Sequence, residues 1–113
     1  MALCDLRIEL LANIFSNIPS ELPNEIFEDI IITEKLRVER IVSKGQTSPN
    51  AGWYDQGENE WVIVLSGYGV IEYKNGVKVT LRQGDYLHIK AHEKHRVIET
   101  SSDEITVWLA IFY

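Results

Sequence analysis

Glu60 makes the sharpest chemical demand of any residue in this sequence. It stands at the entry to the apolar run Trp61–Leu65, WVIVL, seven residues before Gly67. Strand side chains alternate, so Glu60, Val62, Val64 and Ser66 share one face. If that face is the core, the carboxylate needs a proton, a cation, a hydrogen-bond donor or a metal beside it. Other reactive residue types offer less. His88 alternates with Leu87 and Ile89 and reads as outward-facing. Cys4 has no neighbouring base that would make it a nucleophile. Gly67-Tyr68-Gly69 is followed by no helix, so it does not read as a phosphate loop. Asp85, directly after Gly84, is expected to hold a turn through backbone hydrogen bonds.

The elements that must position Glu60 are mostly strands. From Leu36 the pattern alternates, with Leu36, Val38, Arg40 and Val42 on one face and Arg37, Glu39, Ile41 and Ser43 on the other. Neither face is cleanly apolar, so protein is expected on both sides of this strand. Val70–Lys74 and Val77–Arg82 flank Asn75-Gly76, the strongest short-range signal for a β-hairpin. A turn at Gln83-Gly84, a strand to about Ile89, and the segments His95–Thr100 and Ile105–Tyr113 complete the run. Short strands with turn signals every 8–12 residues predict an all-β sandwich or barrel.

The N-terminal third reads differently. Leu3, Leu6, Leu10, Leu11, Ile14 and Phe15 are spaced as on one side of a helix. Asn24 could cap a further helical turn, because Ile26, Phe27, Ile30 and Ile31 fit an i, i+4 stripe. Residues 1–35 are therefore expected to form a helical or extended arm that packs on a barrel of residues 36–113.

Composition narrows the classes. The 113 residues are 45% hydrophobic and 25% charged, an ordinary balance for one globular domain. A net charge of −6 with no basic stripe argues against nucleic acid. Asp5, Arg7 and Glu9 interrupt any signal-peptide core, no apolar run reaches membrane-spanning length, and the lone Cys4 suits a reducing compartment. These features predict a soluble cytoplasmic protein with no nucleic-acid or membrane partner.

The glycine, glutamate and histidine spacings resemble the cupin superfamily. Its first motif reads G-x5-H-x-H-x3,4-E-x6-G and its second G-x5-P-x-G-x2-H-x3-N. Glu60 and Gly67 fit the end of the first motif, and Gly84 and His95 fit the second. The chain is especially similar to small stand-alone cupins that carry WYDQ, EWV and AHxxHRV segments. The resemblance implies a double-stranded β-helix, a jelly-roll barrel, over about Val38 to Tyr113. By analogy with small cupins it also implies a homodimer, and the apolar TVWLAIFY end would suit a buried or paired strand.

The departures from the family pattern define the question. The two first-motif histidines are replaced by Tyr54 and Gln56, or by Trp53 and Asp55 if the spacer is one residue longer. The Asn of the second motif is absent, and Lys90 stands at its proline position. The resemblance leaves Glu60 and His95 pointing inward, joined by Gln56 and His92 as further candidates. A carboxylate, imidazoles and an amide oxygen could hold one divalent ion, Zn, Mn, Fe or Ni. Equally, Glu60 and His95 could form a buried pair that needs no metal. Tyr54, at the barrel rim, could stack on a small-molecule ligand. Three functions stay open: a metal-dependent enzyme or binder, a metal-free ligand-binding or sensory cupin, and a structural module with a filled pocket.

Overall fold

In the computed structural model the described residues are 11–49 and 52–113. They form eight strands in two antiparallel sheets. The strands are β1 (Ile26–Ile32), β2 (Arg37–Ser43), β3 (Glu60–Ser66), β4 (Tyr68–Tyr73), β5 (Lys78–Arg82), β6 (Tyr86–Ile89), β7 (His95–Thr100) and β8 (Thr106–Phe112). The larger sheet runs β1-β2-β8-β3-β6 and the smaller β5-β4-β7. The all-β class is the one the turn spacing predicts, and the jelly-roll arrangement is the one the cupin resemblance implies.

The inner faces of both sheets supply one core. Val62, Val64, Ile89, Trp108, Ala110 and Phe112 come from the larger sheet, and Ile71 and Leu81 from the smaller. Complete burial of a Val or Ile side chain stabilises the fold by roughly 1.5–3 kcal/mol. The chain passes from one sheet to the other at Gly67, and both glycines there are forced. Gly67 has φ +80°, and a Cβ on it would lie 2.7 Å from the Thr106 Cα. A Cβ on Gly69 would overlap the six-membered ring of Trp108. The β4–β5 hairpin closes at Asn75-Gly76 as the sequence predicts, with Val77 N–H donating to the Asn75 side chain at 3.0 Å.

The expected N-terminal helix is not found among the described residues. Residues 3–10 of that expectation lie outside the described residues. Residues 11–15 contain a turn and no helix, and Ile26–Ile32 is a strand at the edge of the larger sheet. The pairing of β1 with β2 shifts between Asp29 and Ile31, leaving Ile30 as an extra residue. This bulge breaks the two-residue alternation and spaces the apolar side chains as a helix would. The β-branched run Ile30–Ile32 favours the strand.

Strand β2 is covered on both sides, as its mixed pattern predicts. On its outer side Arg40 donates to the backbone carbonyl of Ile14 at 3.0 Å and to that of Ser16 at 2.6 Å, and pairs with Glu28. On its inner side Arg37, Glu39 and Ile41 line the barrel interior. Among the described residues no helix is long and apolar enough to cross a membrane.

Candidate functional site

A cavity of about 300 Å³ opens between the sheets. That volume lies at the small end of the range for small-molecule sites. Its polar wall carries Glu25, Arg37, Glu39, Ser48, Tyr54, Gln56, Glu60 and His95. Its apolar wall includes Ile41, Val62, Ile71, Val97, Trp108 and Phe112.

Backbone lacing holds the site residues. Tyr54 and His95 form an isolated antiparallel bridge, with Tyr54 N–H donating to the His95 carbonyl at 2.8 Å. His92 N–H donates to the Gln56 carbonyl at 2.8 Å, and Asn59 exchanges two backbone bonds with Tyr113. The segment from Tyr54 to Asn59 is therefore tied to β7, to the loop before it and to the end of β8. This lacing settles the register that the sequence leaves open. Tyr54 and Gln56 face the cavity, and Asp55 does not line it.

Glu60 and His95 are 8% and 4% exposed. Gln56 donates its amide N–H to Glu60 Oε1 at 2.9 Å. His95 Nε2 stands 3.6 Å from the same oxygen, too long for a hydrogen bond but close for a charge pair. On the far side of the ring, Nδ1 lies 2.8 Å from the Glu93 carbonyl. A carbonyl only accepts, so Nδ1 carries a proton. Burial pushes the His95 pKa down, but Glu60 and the Glu93 carbonyl more than offset it, and the net shift is upward. The rings of Tyr54 and Tyr73 lie 5.7 and 6.4 Å from that of His95. Tyr73 has its hydroxyl pKa pushed up to about 12, mainly by burial and further by Glu93 and Glu60.

His92 is not part of this cluster. Its side chain is 73% exposed, and Nδ1 meets Asp55 Oδ1 at 2.9 Å outside the cavity. Tyr54 is at the mouth, 45% exposed. His88 faces outward and is stacked on Tyr113.

Three further acidic or basic residues line the cavity, Arg37 and Glu39 on β2 and Glu25 just before β1, and local spacing does not connect them to Glu60. Glu39 is buried, with its pKa raised by burial, lowered in part by Arg37, and raised again by Asp29 and Glu60. Arg37 bonds Glu39 at 2.8 Å and lies over the Phe112 ring at 4.0 Å. Glu25 has its pKa raised by burial and partly lowered by a bond from Ser43. The signal was present: Arg37 and Glu39 share a strand face with Ile41.

The cupin pattern implies a metal at Gln56, Glu60, His92 and His95, but this donor set does not fit one. It provides one carboxylate and one imidazole, while the Gln56 amide turns its N–H toward the carboxylate and His92 points away. Among the described residues no group of three His, Cys, Asp or Glu side chains is placed to share an ion. Stable Zn, Mn, Fe or Ni sites draw on three or more such donors.

Comparison with known proteins agrees with this fold. The family model described as "Cupin domain" matches residues 39–112. A candidate mannose-6-phosphate isomerase from Ralstonia eutropha is 43% identical, with 90% of this chain and 95% of that chain covered and a TM-score of 0.86. A cupin superfamily protein from Desulfitobacterium hafniense is 16% identical, with 84% and 82% covered and a TM-score of 0.69. An RmlC-like cupin family protein with a double-stranded β-helix fold, from Methanocaldococcus jannaschii, is 13% identical, with 85% of each chain covered and a TM-score of 0.66. The last two show the fold alone. No match is found among curated protein sequences. With well over half of its length matched by the family model and a 43% identical relative, this chain belongs to the cupin family.

Proposed function

We propose that this cupin binds a small, uncharged or cationic molecule in its barrel, on a Glu60–His95 pair that works with a proton in place of a metal. The observation that carries this reading is the convergence of the Gln56 amide and the His95 imidazole on one oxygen of Glu60. That oxygen already has a donor and a protonatable ring as partners, and the second carboxylate oxygen remains for a ligand.

The cavity lining sets the ligand chemistry. Three carboxylates, Glu25, Glu39 and Glu60, stand against Arg37 and His95, and Arg37 is already paired with Glu39 and Glu58. A hydroxyl-rich or amine head would donate to the carboxylates, while an apolar body would lie against Ile71, Val97 and Trp108. A phosphosugar, the substrate class in the name of the Ralstonia relative, would bring a dianion against this acidic wall and matches it poorly.

Calorimetric titration of chelator-treated protein with neutral polyols, small amines and sugar phosphates tests the reading. Saturable binding of a neutral or cationic compound that is lost in Glu60→Gln is the expected result. Binding confined to phosphorylated compounds, or binding that requires added metal, would overturn it.

A further inference from the structure

The two ends of the barrel cavity differ in how their carboxylates are matched. Strand pairing sets Arg37, Phe112 and Glu60 in one row across β2, β8 and β3. At the other end Ile26 pairs with Val42, so Glu25 falls beside Ser43, whose hydroxyl bonds it. Arg37 and Ser43 open and close β2, which places the two rows about 20 Å apart along the strands. Between them lie the row Glu39–Ala110–Val62 and the row Phe27–Ile41–Trp108–Val64. Ile71 and Val97 pair with each other on the smaller sheet and line the same space. A cavity of about 300 Å³ drawn out between Glu60 and Glu25 is a narrow channel rather than a round pocket.

The charges along this channel are unequal. Glu60 faces His95, and Glu39 is bonded by Arg37. Glu25 is bonded by Ser43, but among the described residues no Lys, Arg or His side chain pairs with it. Burial pushes its pKa up, and the Ser43 bond lowers it only in part. Phe27 lines the channel near Glu25 and is 56% exposed, so this end meets solvent.

Given a ligand held at Glu60 and His95, as proposed above, we infer that it is a linear amine, with its ammonium on Glu25 and a neutral, hydroxyl-bearing end on the Glu60–His95 pair. Glu60 Oε1 takes the Gln56 N–H and faces His95, while among the described residues nothing bonds Oε2. A ligand hydroxyl donates to that oxygen. A second ammonium there would meet the protonated His95, so the two ends of the ligand differ. At Glu25 an ammonium supplies the cation that the carboxylate lacks, in a charge-assisted hydrogen bond of the stronger kind. The methylene chain between the ends lies against Ile41, Ile71, Val97 and Trp108, where burial of each CH₂ is favourable.

Calorimetric titration of the full chain with a homologous series of linear amino alcohols, each set against the diol of the same length, tests this. The expected result is an affinity that peaks at one chain length, with the amino alcohol at least about tenfold tighter than its diol. Glu25→Gln keeps the size of the side chain and an acceptor for Ser43, and is expected to erase that preference. Glu60→Gln is expected to weaken amino alcohol and diol together. Diols that bind as tightly as amino alcohols, or a preference that survives Glu25→Gln, would overturn the inference, while Glu60-dependent binding of either class would keep the Glu60–His95 site. Affinity that climbs steadily with chain length, as unspecific apolar contact gives, would overturn it too. So would a wild type that binds neither series, and neutral polyols binding through Glu60 would then still uphold the site itself.

Discussion

His95 Nε2 and Glu60 Oε1 face each other across 3.6 Å, and each is held there from behind. The Glu93 carbonyl fixes the ring through Nδ1, and the Gln56 amide fixes the carboxylate. With a proton on Nδ1, a neutral ring would turn its Nε2 lone pair on a carboxylate. A second proton, on Nε2, converts that repulsion into attraction. The upward shift of the His95 pKa follows from the same geometry.

This arrangement makes stability depend on pH with a definite sign. The folded His95 pKa lies above its ordinary value, so the folded state holds the proton more tightly than the unfolded chain. The stabilisation is fully present below the unfolded value of about 6.5 and is lost as pH rises through the raised folded value. Glu60→Gln removes the partner. The melting temperature of wild type relative to Glu60→Gln is therefore expected to fall as pH is raised through that window. A difference that stays constant with pH, or that grows toward alkaline pH, would contradict the pairing.

Metal affinity should be recoverable by restoring the family's imidazoles. Tyr54 and Gln56 both face the cavity with Glu60 and His95. The double substitution Tyr54→His and Gln56→His brings the set to three imidazoles and one carboxylate, a donor set suited to Zn or Ni. The double variant is expected to bind about one Zn per chain by elemental analysis, where wild type does not. Equal metal content in the two proteins would show that the native donor set already suffices.

The sheet-to-sheet crossing supplies a test of the fold. Gly67→Ala meets both a positive φ and the Thr106 backbone, whereas Gly76→Ala meets a positive φ in open space. Gly76→Ala is expected to cost about 1–2 kcal/mol by denaturant melts. Gly67→Ala is expected to cost more, because backbone has to move as well. Equal losses would mean that Thr106 yields freely.

Much of the barrel is legible from alternation and turns, and the exceptions have physical causes. Asn75-Gly76 marks its hairpin because that pair adopts the required turn at low cost. The inward direction of Glu60 follows from sharing a face with Val62 and Val64. Strand β1 resembled a helix because the bulge at Ile30 disturbs its period. Glu39 and Arg37 share a face with Ile41 in the sequence, but nothing local connects that face to Glu60. They reach the cavity only because β8, from the far end of the sequence, pairs between β2 and β3. The choice between Gln56 and Asp55 rests on the Tyr54–His95 bridge, a long-range contact that local spacing does not contain.

In the function proposed above a proton, not a metal, joins His95 to Glu60. Nitrogen-15 NMR titration of the His95 ring tests it most directly, in protein purified without a nickel-affinity step and measured with and without added Zn. The expected result is one reversible titration of Nε2 above the ordinary histidine value, unchanged by Zn. A His95 ring that does not titrate because its Nε2 is held by metal, or that titrates at or below the ordinary value, would contradict it.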